Sequence, residues 1–354
     1  MHYLNFFGQF YGDLGIPIHS RNFGIALKNQ INDVRLLQLY ECPHHDIDAG
    51  VPITTDVDPT APGLVFWYPY TYERYSMFPF NIGYYIFEYD TIPTQYVNEI
   101  NELDLICTAS QWGVDTLKKN KVKIPCAVVP GGVDTKYFNS KNRNPRTDKF
   151  VFLNVGKGEE RKNTKTVVRA FNIAFEGSQD VELMLSIDNH DIRNFSAENY
   201  LAEIANDLKY PIDNIRLVHY VNDIRTLYNQ AHCAVFATRA EGIGLPITES
   251  IACGVPTIVP YHTGTTMYVR DENSIVLQKG IEDPVYDPHF FPVAGQFGTW
   301  YTQDIDELIE RMHWVYNNYS MAEVTGRCGE KWMHHNFSWE LSAKKFVKEV
   351  DAML

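Results

Sequence analysis

Two glutamates and the glycine-rich loop between them make up the stretch whose residue types best suit chemistry. Glu241 and Glu249 flank Gly242-Ile243-Gly244-Leu245, after an apolar run at 233–237. The pattern predicts a buried strand, a loop and a helix that Pro246 begins and Gly254 ends. The free N–H groups at a helix N-terminus bind phosphate, and carboxylates accept hydrogen bonds from sugar hydroxyls. The stretch therefore predicts a nucleotide-sugar site. The alternative is a surface loop and an amphipathic helix with solvated acids.

A second candidate is a basic loop between an apolar strand at 150–155 and a helix at 164–175. It carries Lys157, Arg161 and Lys162. Cations after the first strand of an α/β domain can reach a diphosphate bound at a facing helix terminus. A solvated run of charges is the alternative.

The first third of the chain supplies weaker candidates. A strand at 2–8, a glycine turn ending at Gly15 and a helix from Ser20 to Gln30 predict the opening of a nucleotide-binding unit. The glycines do not fit the GxGxxG pattern, so an ordinary turn is the alternative. A further strand at 82–88 ends in Glu88 and is followed by Asp90. Residues after strands of a parallel sheet face the ligand crevice, which makes Glu88 and Asp90 candidates for the acceptor side. A helix N-cap and an ordinary loop acid are the alternatives.

Three other segments carry less specific patterns. The segment 66–75 is densely aromatic, which suits stacking on sugar rings or bases but also a core wall. His44-His45, with Asp46 and Asp48 nearby, suggests a metal site, but a solvated loop is favoured because adjacent histidines point apart. The segment 281–299, rich in Pro, Gly and aromatic residues, predicts a loop.

Composition limits the class of protein. A chain of 354 residues with 45% hydrophobic residues favours two folded domains. A net charge of −13 argues against an electrostatic grip on nucleic acid over the whole surface. The six cysteines show no metal-site spacing, and neither a signal peptide nor a transmembrane run is present. A reduced, cytoplasmic protein is the expectation.

Several motifs together resemble one family. The Glu241/Glu249 spacing, the segment 129–138, the basic loop from Gly156 to Lys162, and Phe337-Ser338-Trp339-Glu340 occur in the order seen in retaining glycosyltransferases of family 4. The chain departs from the family pattern at two positions. Lys157 stands where the family has Arg, and Leu14 replaces one glycine of a Gly-Gly pair that ends at Gly15.

The resemblance implies a fold and domain bounds. We expect an α/β chain of the GT-B type, in which two Rossmann-like domains face each other across a cleft. The N-terminal, acceptor-side domain is predicted at 1–140, the linker at 141–149 and the donor domain at 150–337. The helix at 338–354 is expected to cross back to the N-terminal domain.

The resemblance also implies a function. We expect transfer of a hexosyl or pentosyl unit from a UDP- or GDP-sugar to a hydroxyl acceptor of unknown class, with retention and without metal or other cofactor. Lys157, Lys162 and Glu241 are the implied catalytic residues, and Glu249 the ligand of the ribose diol. Donor binding also involves a larger set: Gly15, Arg161, Gly242, Ile243, Gly244 and Leu245. A non-catalytic nucleotide-sugar or glycan-binding protein and a sugar phosphorylase are the alternatives.

Overall fold

A computed structural model of the chain describes residues 1–12, 14–39 and 50–354. The interpretation of His44 and His45 as members of a solvated loop lies outside the described residues. The described chain divides into two compact units. Unit 1 comprises Met1–Asp134 and Asn336–Leu354, and unit 2 comprises Thr135–His335.

Residues 135–149, predicted to hold the end of the first domain and a linker, group with unit 2. The backbone N–H of Ser140 donates to the Glu330 carboxylate at 2.9 Å, and that of Asn144 donates to the Asn229 carbonyl at 2.9 Å. These bonds attach the segment to unit 2.

Unit 1 is built on a six-stranded parallel sheet in the order β2-β1-β3-β4-β5-β6. Its strands are short, and the inner ones are almost wholly buried, as expected where helices cover both faces of a parallel sheet, whereas the edge strands β2 and β6 are partly exposed. They are β1 (Tyr3–Gly8), β2 (Asp33–Gln38), β3 (Gly63–Phe66), β4 (Asn81–Tyr84), β5 (Leu105–Thr108) and β6 (Cys126–Val128).

The helices of the first segment of unit 1 are α1 (Gly15–Lys28), α2 (Tyr72–Tyr75), α3 (Thr94–Asn101) and α4 (Gln111–Lys119). Helix α4 has its predicted bounds, with the Ser110 hydroxyl accepting from the N–H of Gly113. Two predictions are wrong. Ser20 does not begin α1 but lies buried inside it, because the extended backbone at Leu14 already starts the helix. The strand predicted at 82–88 ends at Tyr84.

Unit 2 contains a second six-stranded parallel sheet in the order β12-β11-β10-β7-β8-β9, and a separate hairpin of β13 and β14. Its strands are β7 (Phe150–Val155), β8 (Val181–Ser186), β9 (Ile215–Leu217), β10 (Cys233–Val235), β11 (Thr257–Pro260), β12 (Ile275–Leu277), β13 (Gly280–Pro284) and β14 (Thr299–Gln303). The hairpin corrects part of the loop predicted at 281–299: its first four residues belong to β13, and its last residue, Thr299, begins β14.

The helices of unit 2 are α5 (Thr164–Phe175), α6 (Ala197–Ala205), α7 (Arg225–Gln230), α8 (Leu245–Ala252), α9 (Ile305–Asn317) and α10 (Tyr319–Asn336). The core around β7 and β8 is aromatic and aliphatic, with Phe152, Phe171 and Leu185 fully buried. Burial of such side chains contributes about 1.5–3 kcal/mol each, which holds the strand ends in place.

The last helix, α11 (Trp339–Asp351), returns to unit 1 and packs on α1, as predicted. The Phe346 ring lies 5.7 Å from that of Phe23, and the Trp339 ring 4.8 Å from the His19 imidazole. At Gly132, an added Cβ would lie 2.4 Å from the Trp339 backbone nitrogen, so the glycine allows this helix to approach closely. Burial lowers the pKa of His19 to about 3 and keeps its imidazole neutral.

Candidate functional site

The start of α8 is formed by a tight glycine loop. Gly244 precedes the helix with φ +82°, a left-handed conformation that glycine adopts at little cost. The N–H of Gly264 donates to the Glu241 carbonyl at 2.8 Å, and the Tyr268 hydroxyl donates to the Ile243 carbonyl at 2.6 Å. A Cβ at Gly264 would lie 2.1 Å from the Gly242 carbonyl oxygen, so only glycine fits there. The loop therefore has a defined shape that presents the helix terminus.

The Glu241 carboxylate lies in the interior of unit 2, with 3% of the residue exposed. Its Oε1 accepts from Lys162 Nζ at 2.7 Å and from the Thr238 hydroxyl at 3.0 Å. Its Oε2 accepts from an Arg161 NH group at 2.9 Å. The structure thus brings the two predicted cations of the basic loop onto the first glutamate of the pair.

Burial alone would raise the pKa of Glu241. The positive charges of Lys162 and Arg161 more than offset it and lower the pKa to about 2. Glu241 is therefore ionised at neutral pH. A carboxylate offers about four acceptor positions, and three are used by the described residues, which leaves room for one further hydroxyl. Its predicted contact with a sugar stays a prediction.

Arg161 connects a second carboxylate to the cluster. Its other terminal nitrogen donates to Glu159 at 2.6 Å, and the side chain also donates to the Ala240 carbonyl at 2.9 Å. Glu159 is 6% exposed. The planar guanidinium fits this role because it binds two partners at fixed angles. Glu159 was not predicted as a site residue, since nothing in its type or spacing distinguishes it from the other charged residues of the loop.

Lys157 lies at the more accessible edge of the same loop, with 30% of its side chain exposed. Its Nζ donates to Asp191 at 2.8 Å and lies 3.8 Å from Glu159. Burial lowers the pKa of Lys157, but Glu159 and Asp191 raise it more, so the net shift is upward. All three predicted cations thus lie in one ion-pair network with three carboxylates.

Glu249 lies on α8, one turn after Leu245, and its Oε2 accepts from the Tyr228 hydroxyl at 2.9 Å. Burial raises the pKa of Glu249 to about 7, and the hydrogen bond from Tyr228 reduces the rise. In contrast to Glu241, Glu249 has no cation bound to it among the described residues. The two glutamates of the motif therefore differ in ionisation.

The hairpin of β13 and β14 adds a residue that sequence analysis missed. The buried carboxylate of Asp287 accepts from the N–H of Glu160 at 3.0 Å, and from the N–H groups of His289 and Phe290 at 2.9 and 3.1 Å. Lys157 Nζ lies 5.8 Å from the centre of the Phe290 ring. The loop between β13 and β14 therefore contacts the basic loop and holds it through the hydrogen bond from Glu160 to Asp287.

The polar loop after β11 contacts the same region. His262 Nε2 lies 3.1 Å from the Thr238 carbonyl oxygen and 2.8 Å from Gln303 Nε2, and the Thr263 hydroxyl accepts from the N–H of Glu241 at 3.0 Å. Burial lowers the pKa of His262 to about 4. The Thr263 hydroxyl therefore holds the Glu241 backbone, and a neutral His262 contacts the Thr238 carbonyl.

The candidates of unit 1 lie in the segments that follow β1 and β4. Gly15 is the exposed first residue of α1. Glu88 is half-buried after β4, and Asp90 pairs with Lys119 at 3.3 Å. Nothing in these contacts assigns a ligand, so the donor role of Gly15 and the acceptor-side roles of Glu88 and Asp90 stay predictions.

The described residues show neither a metal-binding group nor a membrane-spanning helix. Across residues 1–12, 14–39 and 50–354, no group of three or more His, Cys, Asp or Glu side chains is arranged to hold a metal ion. Over the same ranges, no helix combines the length and apolar character that a membrane span requires.

Comparison with known proteins places these features in a family context. A family model described as Glycosyl transferases group 1 matches residues 136–283. The capsular polysaccharide biosynthesis glycosyltransferase CapM of Staphylococcus aureus is 23% identical over 210 residues, which are 59% of this chain and 48% of CapM. The chain thus matches about half the length of this curated relative.

Solved structures match over the whole chain. Sucrose-phosphate synthase from Thermosynechococcus elongatus superposes with a TM-score of 0.73 at 14% identity, covering 100% of this chain and 99% of the other. HepE of Anabaena, in complex with UDP and glucose, gives a TM-score of 0.71 at 11% identity, covering 99% and 100%. The predicted GT-B fold class and the resemblance to glycosyltransferases are confirmed.

The first prediction concerns the buried ion pairs. Glu241→Gln should lower the free energy of unfolding by about 3–5 kcal/mol, because Lys162 and Arg161 lose their buried partner. Asp207→Asn is the control, since it breaks an exposed pair with Arg169 at 3.2 Å and should cost less than about 1 kcal/mol. Denaturant unfolding measures both. Equal losses would contradict the central role of Glu241.

The second prediction concerns the hairpin. Asp287→Ala should speed hydrogen exchange of the Glu160 N–H by about tenfold or more, because that group loses its charged acceptor. Asp283→Ala, which removes only a hydrogen bond from Thr302 within the hairpin, should leave the exchange unchanged. Mass spectrometry of peptides that cover the basic loop reads the difference. Unchanged exchange in Asp287→Ala would show that the loop is held elsewhere.

Proposed function

We propose that this chain is a retaining glycosyltransferase. It transfers a sugar from a nucleotide-diphosphate sugar to a hydroxyl acceptor and requires no metal. The observation that carries the proposal is the ion-pair network that joins Lys157, Arg161 and Lys162 to Glu159, Asp191 and Glu241, next to the start of α8. The network lies inside the segment that the glycosyltransferase model matches. Retention rests on the family resemblance alone.

The chemistry follows from charge. When the glycosidic bond to the donor breaks, negative charge develops on the diphosphate. Lys157 and Lys162, together with the N–H groups at the start of α8, supply positive charge to it. Glu241 holds Lys162 and Arg161 in position before the donor binds, so little reorganisation is needed. The departing phosphate then helps to remove the proton from the acceptor hydroxyl.

A UDP-sugar is the donor we propose first, because the structural relative HepE was solved with UDP-glucose. A GDP-sugar remains the second choice. Glu249 would accept hydrogen bonds from the ribose diol, and its ionised form would accept them more strongly.

A donor panel tests the proposal. Thermal shift with UDP, GDP and ADP should show stabilisation by one of them, equal to about 2.7 kcal/mol at a hundred times its dissociation constant. Turnover of the matching sugar donors should persist in EDTA. Loss of activity in EDTA, restored by manganese or magnesium, would contradict a metal-independent reaction. Nucleotide binding without turnover of any donor would indicate a binding protein, and dependence on inorganic phosphate a phosphorylase.

The pKa of Glu249 makes a separate prediction. If the ribose binds the ionised carboxylate more tightly, nucleotide affinity should fall as the pH drops below about 7 and level off above it. The terminal phosphate of the nucleotide also titrates in this range, so Glu249→Gln should bind more weakly and keep only that smaller pH dependence. Asp191→Asn keeps Glu249 intact and serves as the control, so its profile should match the wild type in shape. Calorimetry with the nucleoside diphosphate from pH 5.5 to 8.5 measures all three. Profiles of the same shape in the wild type and Glu249→Gln would contradict a ribose contact of the ionised Glu249.

A further inference from the structure

Unit 1 carries a cluster of aromatic rings immediately after β3. Trp67 and Tyr68 are half-buried, Tyr70 is 47% exposed, and Tyr96 joins them from α3. The Tyr68 and Tyr70 rings are nearly parallel with centres 6.1 Å apart, and the Tyr96 ring lies 6.0 Å from Tyr70. We call Trp67, Tyr68, Tyr70 and Tyr96 the aromatic platform.

The platform rests on a second layer of buried rings. Tyr85 lies 6.0 Å from Tyr68 and 6.3 Å from Tyr96, and its hydroxyl pairs with that of Tyr89. Phe87 lies between the two, 4.8 Å from Tyr85 and 5.8 Å from Tyr89. The cluster is therefore more than a core wall: its lower layer is buried, and its upper layer presents ring surface to solvent.

Hydrogen bonds fix the upper layer. The buried Tyr72 hydroxyl donates to the Trp67 carbonyl at 3.0 Å, and the Thr71 hydroxyl donates to the Tyr68 carbonyl at 2.9 Å. Trp67 Nε1 donates to the Tyr70 hydroxyl at 3.2 Å. A preorganised surface of this kind loses little conformational entropy when a ligand binds.

We propose that the aromatic platform binds a neutral saccharide, which is the acceptor of the transfer reaction. The ring faces match the apolar faces of a pyranose, while tyrosine hydroxyls can bind its hydroxyl groups. The platform follows β3 and β4 at the carboxyl edge of a parallel sheet, where open α/β sheets bind ligands. As an acceptor site, it rests on the function proposed above.

The side chains of the platform favour the neutral class. Trp67, Tyr68, Tyr70 and Tyr96 carry no positive charge, so they offer no charge-assisted hydrogen bond to the phosphate of a sugar phosphate or the carboxylate of a uronic acid. The proposal therefore excludes acceptors such as glucose 6-phosphate.

Saturation-transfer NMR on the full chain tests the platform with maltose, cellobiose, N,N′-diacetylchitobiose and glucose 6-phosphate. At least one neutral disaccharide should bind saturably, and glucose 6-phosphate should not. Tyr70→Ala should weaken that binding about tenfold, whereas Tyr70→Phe, which keeps the ring, should retain most of it. Tyr3→Ala is the matched control, since Tyr3 is an equally exposed tyrosine at the other end of the sheet.

Three outcomes would overturn the proposal: no binding of any neutral disaccharide, equal binding by Tyr70→Ala, or preference for glucose 6-phosphate. Tyr70-dependent binding to phosphatidylcholine vesicles in place of saccharides would also overturn it. UDP and GDP binding, measured on the same samples, separates the two proposals. Nucleotide binding without saccharide binding would contradict only the proposal that the platform binds a saccharide. Saccharide binding without nucleotide binding would contradict the proposed transferase function and leave the platform as a glycan-binding site.

Discussion

One buried carboxylate determines how the candidate site of unit 2 is built. Glu241 cannot be ionised in the interior without cations, and Lys162 and Arg161 cannot be held there without an anion. Two distant chain segments, the loop after β7 and the loop after β10, are joined by this mutual requirement. The energetic cost of burying the charges is offset only because every partner is at hydrogen-bonding distance.

Several unusual backbone features serve this arrangement. Gly264 lies close to the Gly242 carbonyl, which places the Thr263 hydroxyl where it accepts from the N–H of Glu241. Gly244 adopts the left-handed conformation from which α8 begins. From the other side, Asp287 holds the N–H of Glu160 and so the loop that carries the cations. Glycines that permit close contact and carboxylates that bind backbone N–H groups therefore act together to hold the loop that carries Lys157, Arg161 and Lys162.

Local patterns in the sequence were sufficient for the parts of the site that lie close together in the chain. The glycine loop and Pro246 predict the start of α8 at Leu245, and Glu241 and Glu249 bracket it as expected. The contacts of Asp287 and Thr238 with the site were not predictable, because each depends on a long-range approach that no periodicity records. The end of β4 at Tyr84 was not predictable either. The aromatic residues that follow β4 favour an extended chain by type, but Tyr85 and Phe87 pack in a ring cluster instead.

The three cations differ in how freely they can exchange partners. The side chains of Lys162 and Arg161 are 15% and 11% exposed, and both bind Glu241. Moving either one would leave the buried Glu241 carboxylate without one of its cations. Lys157 binds Asp191 at the accessible edge, where solvent weakens the ion pair. Under the function proposed above, an incoming diphosphate would compete with Asp191 for the ammonium group, and lysine suits this exchange better than arginine, since its flexible stem lets a single point charge change partners. On that proposal, the buried pair would keep the site in shape and the partly exposed Lys157 would bind the diphosphate, so the departure from the family pattern at this position is compatible with phosphate binding.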